Sequence, residues 1–303
     1  VKEIVKFIID KVSYSFLERK YNITRISFYN FFHRDSFPLP IFLALTKELN
    51  LENIPKGSFL SAKRDSVNLP YKIPLNEEIL NILGLYVAEG YARKKTTGKG
   101  YYQVDFSATE EPIRQRIKKI MKKYFYLTPS NIDKDHITYS SKILYELFVE
   151  ILKCGRNAHE KRIPQIVMNL PLEKLKFFLQ GYFDGDGSVS DTDSRVCCDS
   201  VCKELLHDLE FSLRRYGIYT KKYYYKKKPG SKVREFYIRK NIEIPEFGIT
   251  KLIITSNYYE IFYHKIGFSL KRKQNILKYL VENTNTYGIE IENDENYVYP
   301  LIK

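Results

Sequence analysis

A chain of 303 residues with 44% hydrophobic side chains is long enough for two or three domains with buried cores. Its 50 Lys and Arg against 36 Asp and Glu leave a net charge of +14, which points to a polyanionic partner, most simply nucleic acid. No stretch approaches 18 apolar residues, no signal peptide is visible, and Cys154, Cys197, Cys198 and Cys202 form no C-x-x-C pair. Composition therefore argues against a membrane span, a zinc site and a disulfide framework, and predicts reduced thiols in a cytoplasmic protein.

Residues 1–53 are predicted to be all-helical. "VKEIVKFIIDKV" spaces its apolar residues at helical intervals, Ser13 is placed to cap "YSFLERKY", Thr24 to cap "RISFYNFFHR", and "PLPIFLALTKELNL" adds another helix. Short helices around "YNI" are similar to a helix-turn-helix, in which the helix bearing Arg25, Ser27, Tyr29, Asn30 and Arg34 enters a major groove. A plain helical bundle is the alternative. Residues 54–74, rich in Pro, Ser and Lys, read as a linker.

From residue 75 the chain repeats itself. Each copy opens on an apolar helix ending acid-Gly, "NILGLYVAEG" and then "FLQGYFDGDG". Strand-like "YYQVDFSAT" and "SRVCCDS" follow, then helical "EPIRQRIKKIMKKYF" and "CKELLHDLEFSLRRYG". Strands "HITYSS" and "TKLIITS" come next, and each copy closes on a helix and a basic tail. Glu89 and Asp186 are separated by 97 positions, and Gly155 precedes Lys161 by six just as Gly267 precedes Lys273. The expected fold class is α+β: two pseudo-twofold-related αββαββα units over 75–170 and 171–280, with a C-terminal tail over 281–303. The second copy carries an extra segment, "YTKKYYYKKKPGSKVREFYIRK", predicted to be a hairpin turning at Pro229-Gly230.

Gly84 and Ala88 share one helix face, as do Gly181 and Gly185, and small residues there let two helix backbones approach closely. Pairing of those faces sets Glu89 beside Asp186. Each carboxylate then opposes a helix macrodipole and each repels the other, and a divalent cation such as Mg²⁺ removes both penalties. Taken singly, either acid-Gly is an ordinary helix end with glycine as a left-handed cap. Two in register favour the metal site.

"ILGLYVAEG" and "LQGYFDGDG" resemble the nine-residue motif of the LAGLIDADG homing endonucleases, in the two-motif single-chain form of archaeal or intein type. The resemblance covers roughly residues 75 to 280. It implies that the motif helices form the interface of the halves, and that each half adds a saddle-shaped antiparallel sheet lying along DNA. Glu89 and Asp186, at the eighth motif position, become the metal ligands. The sixth position is Val87 in the first motif, where the family is often acidic, and Asp184 in the second. A "K-x-I-P" pattern makes Lys161 a catalytic lysine, and the repeat makes Lys273 its partner, with Lys271 as the fallback. The implied activity is Mg²⁺-dependent cleavage of both strands of double-stranded DNA at a long asymmetric target, leaving short staggered ends. A monomer suffices, with no small-molecule cofactor. The alternative is a non-cleaving binding protein of the same fold, a maturase or a transcription regulator. The chain opens on Val1 and has no His-Asn dipeptide, so it reads as a piece that does not splice itself.

Candidate DNA contacts are Arg93, Lys94, Lys95, Lys99 and Gln103 in the first half, and Arg195, Lys222, Lys226, Lys227, Lys228, Lys232, Arg234 and Arg239 in the second. Arg25, Asn30 and Arg34 extend the footprint from the N-terminal helices.

Overall fold

A computed structural model of the chain describes residues 6, 10–34, 36–49, 57–63, 65–98, 100–190 and 195–284. Most of the helix expected at the N-terminus, Lys99, and nearly all of the tail over 281–303 lie outside the described residues. The chain divides into two compact units, one of residues 1–60 and 70–72, the other of 61–69 and 73–303.

In the first unit α1 (Tyr14–Tyr21), α2 (Arg25–His33) and α3 (Leu39–Glu48) follow in order. The sequence caps hold: the Ser13 side chain accepts from Phe16 N, and the Thr24 side chain from Ser27 N. Asn22 ends α1 in the left-handed conformation at φ 52°, so only three residues separate α1 from α2. Leu17, Ile23, Phe28 and Leu45 form the core. Glu48 ties α3 to α1 by accepting from Lys20 and from the Tyr21 hydroxyl, each at 2.6 Å. This is helix-turn-helix spacing, with Ile26 and Tyr29 of α2 exposed.

The linker expected over 54–74 is only partly one. Two short strands stand there, β1 (Phe59–Ser61) and β2 (Asn68–Pro70). Asp65 accepts from the Ser141 hydroxyl and from Ile143 N, and Leu69 is buried in the main core. Polar composition marked this stretch as loop, but two well-placed side chains tie it down.

The second unit contains both repeats. The first runs α4 (Glu77–Glu89), β3 (Gly90–Lys95), β4 (Tyr101–Ser107), α5 (Glu111–Phe125), β5 (Asn131–Ile132), β6 (His136–Ser140) and α6 (Lys142–Tyr145), which continues as a π-helical stretch, Glu146–Ile151. After α7 (Gln165–Met168) the second runs α8 (Leu172–Gly185), β7 (Gly187–Ser190), β8 (Arg195–Ser200), α9 (Lys203–Arg214), β9 (Thr220–Lys227), α10 (Ser231–Arg239), β10 (Phe247–Ile254), α11 (Tyr259–Lys265) and α12 (Lys271–Thr284). Two antiparallel four-stranded sheets result, ordered β3-β4-β6-β5 and β7-β8-β10-β9. The αββαββα order expected from the repeat is present in the first copy, and in the second with α10 inserted between β9 and β10.

The predicted hairpin over 219–240 is corrected. Its first arm is β9, but its second arm is the helix α10, and β9 pairs instead with β10, Thr220 opposite Ile254 and Lys227 opposite Phe247. Alternation in "SKVREFYIR" is weak, whereas Val233, Phe236 and Tyr237 fall at i, i+3 and i+4. Pro229-Gly230 therefore starts a helix, and Arg234 N bonds Gly230 O at its first turn.

One continuous core joins the repeats, because α4 and α8 pack against each other inside it. Every α4 residue from Ile79 to Val87 is buried. Asn76 caps α4 through Ile79 N at 3.0 Å, and Glu77 and Glu78 complement the dipole of the first turn. The four cysteines are free and buried, as their pattern predicted. Among the described residues no helix is long and apolar enough to cross a membrane.

Candidate active site and nucleic-acid surface

Glu89 is the last residue of α4, and Asp186 caps the C-terminus of α8. The glycines after them are not left-handed caps: Gly90 has φ −84°, and Gly187 opens β7. Space selects them, since a Cβ on Gly90 would lie 2.2 Å from the Tyr86 ring, and one on Gly187 2.3 Å from Phe183 O. Each strand can then turn back over the last turn of its own helix.

The two carboxylates meet across the helix interface. Glu89 Cγ packs 2.9 Å from where a Cβ of Gly185 would stand, next in chain to Asp186. Burial first, and then the Glu89 charge, push the Asp186 carboxyl up to about 8. Burial likewise raises Glu89, against the pull of Lys273 and Lys161. Two half-buried carboxyl groups at helix C-termini resist ionising together, and a hard cation is the simplest relief. Among the described residues no group of three or more Asp, Glu, His or Cys gathers. The two carboxyl donors fit a divalent cation.

Lys161 and Lys273 are both buried, at 3% and 5% exposure, whereas Lys271 is exposed. Gly155 and Gly267 both take positive φ, 87° and 64°, in the loops that lead to the two lysines. Lys161 Nζ donates to Tyr86 O at 2.7 Å and sits 3.9 Å from the Tyr86 ring centre. Burial lowers it to about 8, against the charges of Cys154, Asp186 and Glu89. It lines one cavity with Asp186, Asp199 and Ser200. Lys273 Nζ donates to Phe183 O (3.1 Å), Asp184 O (2.6 Å) and Gly187 O (2.6 Å), with Gly185 O at 3.4 Å. Its three protons are thus consumed by the end of α8, where a cation also complements the dipole.

Asp184, at the sixth position of the second motif, is fully buried and accepts from Arg116 (2.6 Å), Ser269 N (3.0 Å), the Ser269 hydroxyl and Leu270 N (3.1 Å). It anchors the segment that presents Lys273, and through Arg116 it ties the second half to the first. Val87, its counterpart in the first half, is simply core. Arg116 went unmarked in the sequence, because an arginine in a basic helix carries no signal of a distant partner.

Strand register sorts the candidate DNA contacts. Ala92, Val104, Phe106, Ile137 and Tyr139 face the helices of the first half, so Arg93, Lys95, Gln103 and Asp105 lie on the outer face. Lys94 alternates to the helix side, where it meets Glu150 at 3.6 Å. In the second sheet Val196, Cys198, Leu252 and Ile254 face inward, which leaves Arg195, Asp199, Lys221, Tyr223, Tyr225, Lys227 and Lys251 outward. Lys222 and Lys226 fall on the helix side, and Lys222 bonds Glu210 at 2.6 Å. Lys221, Tyr223, Tyr225 and Lys251 were missed by counting charges; register, which pairs β9 with β10, picks them out. Lys228 follows β9, and Arg234 and Arg239 are exposed on α10. The Lys232 side chain lies outside the described residues. Arg25, Asn30 and Arg34 are exposed on or just after α2, with the Arg25 guanidinium 5.4 Å from the Tyr14 ring centre.

Comparison with known proteins agrees with this architecture. Residues 173–267 match the family model of a LAGLIDADG-like domain. The DNA polymerase II large subunit of Thermococcus kodakarensis is 34% identical over 264 residues, covering 84% of this chain and 14% of that protein. The replication factor C small subunit of Methanocaldococcus jannaschii is 28% identical over 260 residues, 83% of this chain and 13% of its own. The chain thus spans only a small part of these relatives. Among solved structures, I-DmoI in complex with DNA and Mn aligns with TM-score 0.45 and 17% identity, covering 64% of this chain and 97% of that one. I-WcaI bound to its DNA recognition sequence aligns at 0.42 and 17%, covering 68% and 88%. The second repeat, over residues 173–267, is thus similar to a LAGLIDADG-like domain, and the first repeat shares its motif helix and its order of elements.

Proposed function

We propose that this chain is a site-specific double-strand DNA endonuclease that hydrolyses phosphodiesters at a long asymmetric target. The observation that carries the reading is the pair Glu89 and Asp186, half-buried together at the ends of α4 and α8 with a buried lysine behind each. Glu89 and Asp186 would hold Mg²⁺, which when bound supplies a lowered water pKa and charge neutralisation at phosphate. The remaining roles belong to the chain. Lys161 has one carbonyl within hydrogen-bond distance and is lowered by burial to about 8, so we assign it to orienting water or phosphate. Lys273 holds the end of α8 and thereby Asp186. Lys161→Met is expected to lower single-turnover cleavage by about 10²-fold or more with DNA affinity unchanged. Equal cleavage rates at saturating enzyme would remove Lys161 from the site.

The basic outer faces of the two sheets, in a chain of net charge +14, fit a DNA duplex, and their different sequences call for a non-palindromic target. The helix-turn-helix spacing of α1 and α2 supports a further contact from the first unit. Matches inside both a DNA polymerase II subunit and a replication factor C subunit, each to about one seventh of the relative, support a mobile element inserted in unrelated hosts, of intein type.

The test is cleavage of a randomised plasmid library with and without Mg²⁺, followed by sequencing of the ends. Metal-dependent ends at one long asymmetric site are the expected result. Sequence-selective binding without ends would move the chain to the non-cleaving reading.

A further inference from the structure

One carboxylate stands on the outer face of the first sheet, where a polyanion would lie. Asp105 is fully enclosed there, and the Thr138 hydroxyl donates to its Oδ1. Arg93, whose side chain is 48% exposed, lies over it with Nη2 3.4 Å from Oδ1 and Nε 3.3 Å from Oδ2. The Tyr91 ring backs the guanidinium at 5.3 Å. Register explains the cluster: Tyr91 is opposite Asp105, Asp105 is opposite Thr138, and Arg93 is opposite Gln103.

We propose that Arg93 is a guanine reader positioned by Asp105, and that with Gln103 it forms a two-base reading element of the first half. This rests on the DNA-cleaving reading above. Asp105 occupies the Nε side of the guanidinium, which leaves Nη1 and the outward Nη2 proton for the two acceptors, O6 and N7, of a guanine edge. Charge decides between base and phosphate. An arginine neutralised by a buried aspartate has lost most of its Coulomb attraction for phosphate, and the carboxylate behind it repels a second anion. A neutral base edge asks for directed donors in a fixed plane, and a locked, charge-compensated guanidinium supplies them. Gln103, directly opposite, has the amide that pairs with N6 and N7 of adenine and can address the neighbouring base pair.

The experiment is enrichment of bound duplexes from a randomised library by the full chain, in Ca²⁺ or without metal, for wild type, Arg93→Ala and Asp105→Asn. Wild type should enrich one site containing a guanine in the half read by the first repeat. Arg93→Ala should lose that one preference by about tenfold or more, with other positions unchanged. Asp105→Asn should weaken the same position while total affinity holds or rises, since a negative charge has gone. If Asp105→Asn does not fold, the exposed Arg93→Ala carries the test alone. Uniform weakening by Arg93→Ala at every sequence, with a salt slope smaller by about one, would make Arg93 a phosphate contact and overturn the proposal. An unchanged profile overturns it as well. A wild-type protein that enriches no sequence overturns the endonuclease reading itself.

Discussion

Asp186→Asn and Glu89→Gln each abolish double-strand cleavage, with a loss of about 10³-fold or more expected when a group that organises the reacting charge is removed. DNA affinity is retained, because a carboxylate facing phosphate contributes repulsion rather than binding. The same substitutions are expected to stabilise the metal-free protein. Folded Asp186 keeps its proton to about pH 8, against about 4 for an unfolded aspartate. Across that interval the folded state binds the extra proton, so metal-free stability falls as pH rises, and the loss is complete above the folded value. Asn cannot ionise, and Asp186→Asn should therefore exceed wild type by about 0.5–2 kcal/mol above pH 8 and converge with it near pH 4. Mg²⁺ should raise the wild-type melting temperature more than that of the variant. Melting curves from pH 4 to 9 with and without Mg²⁺, beside single-turnover cleavage, read both effects. Full cleavage by either variant, or loss of DNA binding, would remove the pair from the centre of the mechanism.

The repeat was legible because its anchor points are chemically unusual. Small residues at Gly84, Ala88, Gly181 and Gly185 on apolar helices and acids at the helix ends leave few other arrangements, whereas Lys161 was marked by the family resemblance and the matched Gly-to-Lys spacing carried it to Lys273. What stayed hidden depended on partners distant in sequence. Asp184 looks like a spare motif acid until Ser269 and Leu270 return to it from 85 and 86 residues away. The span 219–240 read as a hairpin because lysine and tyrosine fill both arms, whereas the strand partner of β9 lies beyond an inserted helix. Within that run the choice between Lys221 and Lys222 is one of sheet face, and a one-residue difference in register reverses it.

Gly181→Val and Gly84→Val should each cost roughly 3 kcal/mol or more and bring cleavage down with stability. A Cβ on Gly84 would stand 2.0 Å from Phe178 O and 2.7 Å from Tyr182 N, and one on Gly181 2.1 Å from Asn81 O. These obstacles are backbone atoms of the facing helix, so no side-chain rotation relieves them, and α4 and α8 must move apart. Separation strips contacts from both cores, because buried residues run along both helices from Ile79 to Val87 and from Leu175 to Asp184. It also spreads Glu89 from Asp186 at the far end of the same interface, which ties activity to packing. Gly230→Ala is the matched control: nothing lies within 4 Å of its would-be Cβ, and the change should stay within about 0.5 kcal/mol. Urea midpoints of the three variants decide the matter. Valine at 84 or 181 with a wild-type midpoint would mean that the two helices do not pack backbone to backbone, and the pairing of Glu89 with Asp186 would lose its structural basis.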